Sequence, residues 1–356
     1  MIYMDKRSSR KRMKREARQR MTTAEIRGAR RTACVTGGNG FVGSLLVKQL
    51  LDRGYNVNAT MRDPDEAKVS HLLNLPGSER LKLFRADLTT EGSFDEPIND
   101  CDLVFHVATP RLFDSEDPMS DMIEPAVEGT LNVLRSCAKT KTVKRVVLTS
   151  STSAICRNPE IEEGRVVTEE NWSDTEFLLS EKPPNWGYGV SKTLAEQEAW
   201  KFAKQNQIDL ISVAPVLVTG PSLTPQPPPS AILALSLFTA GKESGLKTLQ
   251  EVVGSVSLVH VVDVCRAHIF VAEKESAYGR YICSATSTTV PELAMFLSNR
   301  YPQYKLPTDF GDFPSKPKYP VSSEKLIREG FTFKFGIEEM YDESVEYFKA
   351  KGLLPV

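Results

Sequence analysis

The segment Trp186–Trp200, WGYGVSKTLAEQEAW, sets a phenol and an ammonium four residues apart, Tyr188 and Lys192. On a helix that spacing projects both side chains from one face. A phenol at its ordinary pKa of about 10 is a poor acid-base group at neutral pH. A neighbouring ammonium, joined by the positive nicotinamide of an oxidised cofactor, would stabilise the phenolate and bring proton transfer into range. The run LTSS ends another apolar segment with Ser150 and Ser151, whose hydroxyls could converge on the same point. Such a set suits a proton donor beside a group that receives a hydride. Tyrosine and lysine at this spacing are also common on ordinary amphipathic helices, so the pair gains chemical meaning only if the rest of the chain brings a hydride donor to it.

A binding loop for such a donor is present. TGGNGFVG places Gly37, Gly40 and Gly43 at three-residue spacing between the apolar run TACVT and the helical pattern FVGSLLVKQLLDRG. Small residues let the backbone approach a pyrophosphate, and the following helix aims unpaired N–H groups and its positive end at it. The end of the second strand reads the cofactor: an acid there suits the ribose hydroxyls of NAD, a cation the 2′-phosphate of NADP. Here MRDPDEAK offers Arg62 and, from the next helix, Lys68, two cations against the adjacent Asp63, which favours NADP. RADL puts Asp87 and Leu88 where an adenine would lie, and HVATP ends a fourth strand with the small residues Ala108 and Thr109 beneath a ribose and nicotinamide. His106 reads as a core histidine with its ring hydrogen-bonded, since no second histidine or cysteine is placed to share a metal with it.

The elements that must position these groups alternate. TACVTGG, YNVNATM, LKLFRADL, CDLVFHVATP, VKRVVLTSS and IDLISVAPVLVTG read as six strands. Helical patterns separate them, among them residues 121–140 and a helix beginning near Tyr188. Parallel neighbours need crossover connections, so this order predicts an α/β fold, a doubly wound parallel Rossmann sheet with helices on both faces. Beyond Gly220 the rhythm breaks at PSLTPQPPPS, whose prolines lack donors and fix φ, and which therefore reads as an ordered loop. Short strands (SLVHVVD, RYICSA) and helices (VPELAMFLSNRYPQ, GIEEMYDESVEYFKAKG) follow, predicting a smaller mixed C-terminal substrate lobe. The expected division is a basic extension over 1–31, an NADP-binding Rossmann unit over 32–220, and a mainly substrate-binding lobe over 221–356 with some segments returning to the Rossmann core. A ligand is expected in the cleft between sheet and lobe.

Composition limits the alternatives. With 40% hydrophobic and 26% charged residues, the 356-residue chain can bury a substantial core as an ordinary globular protein. No apolar run approaches the length of a membrane span, and the first thirty residues lack the apolar stretch of a secretory signal, so the expected location is cytoplasmic, with no membrane partner. Cys34, Cys101, Cys137, Cys156, Cys265 and Cys283 show no CxxC spacing and read as reduced core residues, neither a disulfide framework nor a metal site. The net charge of −1 hides an asymmetry: residues 1–31 hold twelve cations and three acids, leaving −10 on the body. KRSSRKRMKREARQR could bind nucleic acid or act as a nuclear address, but it lacks apolar patterning and reads as a disordered extension. The acidic body argues against nucleic acid as a partner. A non-catalytic NADP-binding regulator that uses this tail is the reading from a different class, and the intact Ser151, Tyr188 and Lys192 weigh against it.

Glycine motif, strand-end serine and YxxxK together resemble the extended short-chain dehydrogenase/reductase family. The blocks KRVVLTSS, NWSDTEFL, SKTLAEQEAWKFA, VHVVDVCRAHIFVAEKES, GRYICSA and RYPQYKLPTDFGDFP are similar to the plant flavonoid reductases, the last three most of all to the anthocyanidin reductases, over residues 31–355. The resemblance implies Ser151, Tyr188 and Lys192 as the catalytic set, Lys192 also binding the nicotinamide ribose. It implies Asn39, Gly40, Phe41, Val42, Arg62, Lys68, Val107, Ala108, Thr109 and Pro110 as contacts of NADPH or NADP. Pro215 and Val218 would flank the nicotinamide, and Ser230 would contact the phosphate side. The implied activity is reduction of an anthocyanidin such as cyanidin to a flavan-3-ol with two NADPH, with aromatic and apolar residues packing on the flat substrate; a dihydroflavonol 4-reductase or a related phenylpropanoid carbonyl reductase is the neighbouring reading. Two stretches depart from the family, TSAICRNPE after Ser151 and TAGKESGLKTLQEVVG, and both are expected on the substrate side. The oligomeric state is left open.

Overall fold

The computed structural model describes residues 31–110, 115–239 and 243–355. The basic run before Arg31, expected as an extension, lies outside the described residues. In chain order the elements are β1 (Thr32–Thr36), α1 (Phe41–Asp52), β2 (Asn56–Met61), α2 (Glu66–Leu73), β3 (Leu81–Arg85), α3 (Asp95–Ile98), β4 (Leu103–His106), α4 (Glu124–Lys139), β5 (Arg145–Thr149), α5 (Thr175–Glu181), α6 (Trp186–Asn206), β6 (Leu210–Pro215) and β7 (Leu217–Thr219). Then come α7 (Pro229–Ala234), α8 (Ser244–Val253), β8 (Val256–His260), α9 (Val261–Glu273), β9 (Gly279–Cys283), β10 (Thr286–Thr288), α10 (Val290–Arg300), α11 (Glu324–Arg328) and α12 (Ile337–Ala350).

Seven strands form one sheet in the order β3-β2-β1-β4-β5-β6-β9, with every neighbouring pair parallel. The strands are apolar almost throughout, as strands covered on both faces must be: Val35, Val57, Phe105, Val147, Ile211 and Val213 are all fully buried. Helices α1 and α9 cover one face in one hydrophobic core, while α4 and α6 cover the other through Val133, Leu134, Ala199 and Ala203. The strand order reverses between β1 and β4, and the crevice beyond the carboxyl ends of those strands is where a doubly wound sheet binds a ligand. A second sheet, β10-β8-β7, carries its own core of Leu258, Val290, Leu293, Met340 and Tyr341.

Two features differ from the periodicity reading, and a third names the segment that returns to the large sheet. IDLISVAPVLVTG is two strands, not one: β6 stays in the large sheet and β7 pairs with β8 in the small one. The break follows Pro215, which has no amide to continue the ladder. SLVHVVD is strand only to His260, whose Nδ1 accepts from the Val262 amide (3.2 Å) and so caps a helix that starts at once. RYICSA contributes β9, which returns to the large sheet beside β6. Among the described residues no helix is long and apolar enough to cross a membrane.

Candidate functional site

The turn between β1 and α1 is built for close approach. Gly37 has φ +66°, the left-handed region that glycine enters without penalty. A side chain on Gly43 would overlap the Gly37 carbonyl, so helix and turn pack without room for a Cβ. Gly40 stands at the N-cap of α1 with no side-chain cap, and no acidic residue occupies the first turn. The helix therefore presents its first N–H groups and its positive end to the cavity unneutralised, the arrangement that binds an anion.

The next strand end over is organised by a buried chain of hydrogen bonds. The Thr36 hydroxyl oxygen accepts from the amides of Val107 (3.1 Å) and Ala108 (3.0 Å), which directs its proton to His106 Nδ1 (2.9 Å). His106 Nε2 then donates to Thr130 Oγ1 (3.2 Å), which itself donates to the Ala126 carbonyl (2.8 Å). Burial, with help from the Lys192 charge, pushes the His106 imidazole down to about 3, so the ring stays neutral. Its role is to hold the Val107–Pro110 segment, as expected of a core histidine. Among the described residues no cluster of histidine, cysteine and acid side chains could hold a metal.

One cavity of about 1010 Å³ collects almost every residue singled out from the sequence. One end of it is lined by Gly37, Asn39, Gly40, Phe41, Val42, Gly43, Arg62, Asp87, Leu88, Val107, Ala108, Thr109 and Pro110. Asp87 is held by the amide (2.9 Å) and hydroxyl (2.8 Å) of Thr89, and these bonds keep its carboxyl below the usual carboxylate range. Lys68 does not line the cavity: its ammonium is paired with Asp63 at the exposed rim. The expectation of two cations aimed at one phosphate thus resolves differently, with Lys68 neutralising Asp63 and Arg62 facing the cavity.

Ser151, Tyr188 and Lys192 share the same lining, with Pro215, Val218 and Ser230 around them. The two serines of LTSS part ways. Ser150 Oγ donates to Glu196 (2.5 Å), which also accepts from Ser212 (2.6 Å), Trp200 (3.2 Å) and Arg280 (2.8 Å), a buried network tying β5, α6, β6 and β9 together. Ser151 instead caps a 3-10 turn, Thr152–Ala154, accepting from the Ser153 amide (3.1 Å). Lys192, 7% exposed, donates to the Thr149 carbonyl (3.2 Å) at the end of β5. The i,i+4 spacing of Tyr188 and Lys192 does lie on one helix, near its N-terminus, with both residues at the cavity.

The far end of the cavity is walled by Cys156 and Arg157, by Leu217 and Leu233, and by Thr248, Leu249, Val252 and Val253 of α8. Both stretches that depart from the family pattern therefore reach this wall, although residues 240–242 of the second lie outside the described residues. Burial pushes the Cys156 thiol up to about 12, so it serves as a small apolar wall group. Among the described residues, the aromatic side chains of the lining are Phe41, Phe94 and Tyr188. Periodicity and motif gave no hint of Glu196, Arg280 or Arg157, because their partners lie far away in sequence.

Comparison with known proteins agrees with this geometry. The model of the NAD dependent epimerase/dehydratase family matches residues 33–283. The chain is 64% identical to the anthocyanidin reductase ((2S)-flavan-3-ol-forming) of Vitis vinifera, over 91% of this chain and 97% of that protein. It is 47% identical to the dihydroflavonol 4-reductase of Arabidopsis thaliana, over 91% and 84% respectively. Among solved structures, vestitone reductase from alfalfa (Medicago sativa L.) aligns with a TM-score of 0.79 at 37% identity, covering 91% of this chain and 99% of that one. The yeast methylglyoxal/isovaleraldehyde reductase complexed with NADPH aligns with a TM-score of 0.77 at 25% identity, covering 91% and 100%. The chain therefore belongs to the NAD dependent epimerase/dehydratase family, in the group that holds the anthocyanidin reductases and the dihydroflavonol 4-reductases.

Proposed function

We propose that this protein is an NADPH-dependent reductase that converts an anthocyanidin such as cyanidin to a flavan-3-ol. The observation that carries the reading is the single cavity in which the uncapped helix end, Arg62, Ser151, Tyr188 and Lys192 share one lining. The residues fit a dinucleotide: Gly43 leaves no room for a side chain where the turn meets the helix, and the first N–H groups of α1 and the Arg62 guanidinium suit its phosphates. Residues 32–220 would hold it, and the wall from α7 and α8 would close over the substrate. When bound, NADPH supplies hydride. The whole conversion takes two hydrides and one proton per flavylium cation, which balances to a neutral flavan-3-ol.

The chain's own residues orient and move the proton. Lys192, fixed to the Thr149 carbonyl, holds positive charge on the face that carries Tyr188, which favours the phenolate form the tyrosine passes through when it gives up its proton. Ser151 presents its hydroxyl from a capped turn, ready to donate to a substrate oxygen. The aliphatic wall excludes water and confines a flat molecule, so that positioning contributes much of the rate. Six buried, unpaired cysteines support the cytoplasm as its location.

A Ser151–Tyr188 pair is also what reduction of a ketone needs, so dihydroflavonol 4-reduction is the second reading. Incubation of purified protein with NADPH and either cyanidin or dihydroquercetin separates the two. Loss of the cyanidin visible band with a flavan-3-ol appearing is the expected result. Turnover of dihydroquercetin alone would replace the first reading by the second.

A further inference from the structure

We propose that Arg157 is a positioning residue that locks the turn bearing Ser151 to the helix bearing Tyr188, so that the two hydroxyls face one point of the cavity. Its backbone is anchored to the serine side. The Arg157 amide donates to Ser173 Oγ (2.8 Å), which donates to the Ser153 carbonyl (2.9 Å), and the Ser173 amide donates to the Ala154 carbonyl (2.9 Å). The Arg157 carbonyl accepts from the Asp174 amide (2.9 Å). Its side chain is anchored to the tyrosine side. Nη1 donates to the Asn185 carbonyl (2.6 Å) and Nη2 to the Pro184 carbonyl (2.7 Å), the two residues that lead into α6. Tyr188 follows one turn later.

Three facts argue that this is more than packing. Arg157 is 4% exposed, and among the described residues no carboxylate forms an ion pair with it, so the chain bears the cost of a buried charge. Burial lowers its pKa to about 10, which still leaves it charged at neutral pH. A cation at a helix N-terminus is opposed by the helix dipole, so its placement does not serve the stability of α6 as such. The helix also makes room for it: a Cβ on Gly189 would lie 2.8 Å from Nη1 and 3.1 Å from Cδ. A planar fork spans two carbonyls at fixed angle, which an ammonium does not. Asn185, with φ +56°, holds the left-handed turn that aims both carbonyls at the fork.

The proposal rests on the reductase reading, and its test separates the two. Arg157→Met and Arg157→Lys are expected to lower kcat by about 10- to 100-fold, the range for loss of reactive alignment, with substrate KM and NADPH Kd little changed. Arg157 lines the cavity, so millimolar guanidinium should restore part of the kcat of Arg157→Ala and none in wild type. Gly189→Ala, which keeps the arginine but displaces its fork, should act in the same direction. Unchanged kcat in Arg157→Met, or a loss that tracks the unfolded fraction and ignores guanidinium, would overturn the proposal. Amide hydrogen exchange at residues 188–190 reads the clamp without turnover: faster exchange in Arg157→Met, or in Gly189→Ala if the former does not fold, supports it, and unaltered exchange refutes it whether or not wild type reduces a flavonoid.

Discussion

At the scale of single residues, the site separates groups that hold from groups that react. Ser150 and Ser151 are adjacent, chemically identical and both at the cavity, yet the Ser150 hydroxyl is committed to Glu196 while the Ser151 hydroxyl accepts from the Ser153 amide. Tyr188→Phe should lower kcat by about 10²- to 10⁴-fold, the usual contribution of a positioned acid, while NADPH affinity measured by fluorescence titration changes little; comparable loss of both would remove its proton-transfer role. Of the two cations expected at the end of β2, Arg62 lines the cavity while Lys68 is engaged by Asp63, so Arg62→Gln should weaken NADPH binding by about 10- to 100-fold, the value of a charge-assisted contact, and leave NADH binding nearly intact. Lys68→Gln should have a smaller effect on the same titration. The catalytic candidates were legible because their chemistry sits in short local spacings. Arg157 and Glu196 were not, since each draws its meaning mainly from distant partners, Arg157 from residues 27 and 28 positions away and Glu196 from residues 46 and 84 positions away.

At the scale of elements, the alternation of apolar runs and helical patterns was enough to place all six leading strands, because strands buried on both faces are unambiguous when crossover helices separate them. What periodicity missed was an exchange between sheets, the step from β6 to β7 after Pro215; that some C-terminal segment would return to the large sheet was expected, but not that β9 is the one. Pairing partners are set by tertiary contacts that no local pattern contains. The glycine turn offers a sharp test. Gly43→Ala forces a methyl into the Gly37 carbonyl and should abolish saturable NADPH binding, whereas Gly54→Ala, with φ +83° and nothing near its Cβ, should cost only about 1–2 kcal/mol in a urea melt and spare the cofactor site.

At the scale of the whole molecule, stability and chemistry meet in the buried polar groups. The Glu196–Arg280 pair, with side chains 1% and 5% exposed, ties the helix of Tyr188 to β9, and Glu196→Gln should destabilise the fold by about 3–5 kcal/mol in chemical denaturation. Burial lowers His106 to about 3 and both His260 and His268 to about 4, so the unfolded chain binds more protons than the folded one from about pH 6.5 down to those values. Stability is therefore full above that window and falls on acidification, by up to about 1.4 kcal/mol per pH unit for each ring; denaturation midpoints that stay flat from pH 7 to pH 4 would contradict the neutral assignments. The central claim is that the cavity carries hydride from the nicotinamide to a flavonoid carbon beside Tyr188. Its most direct measurement is turnover of cyanidin with NADPH deuterated at one face of C4, followed by mass spectrometry of the product. Deuterium retained on the flavan-3-ol from one face of the cofactor and not the other is the predicted result; a flavan-3-ol without label from either face, or no product at all, would contradict it.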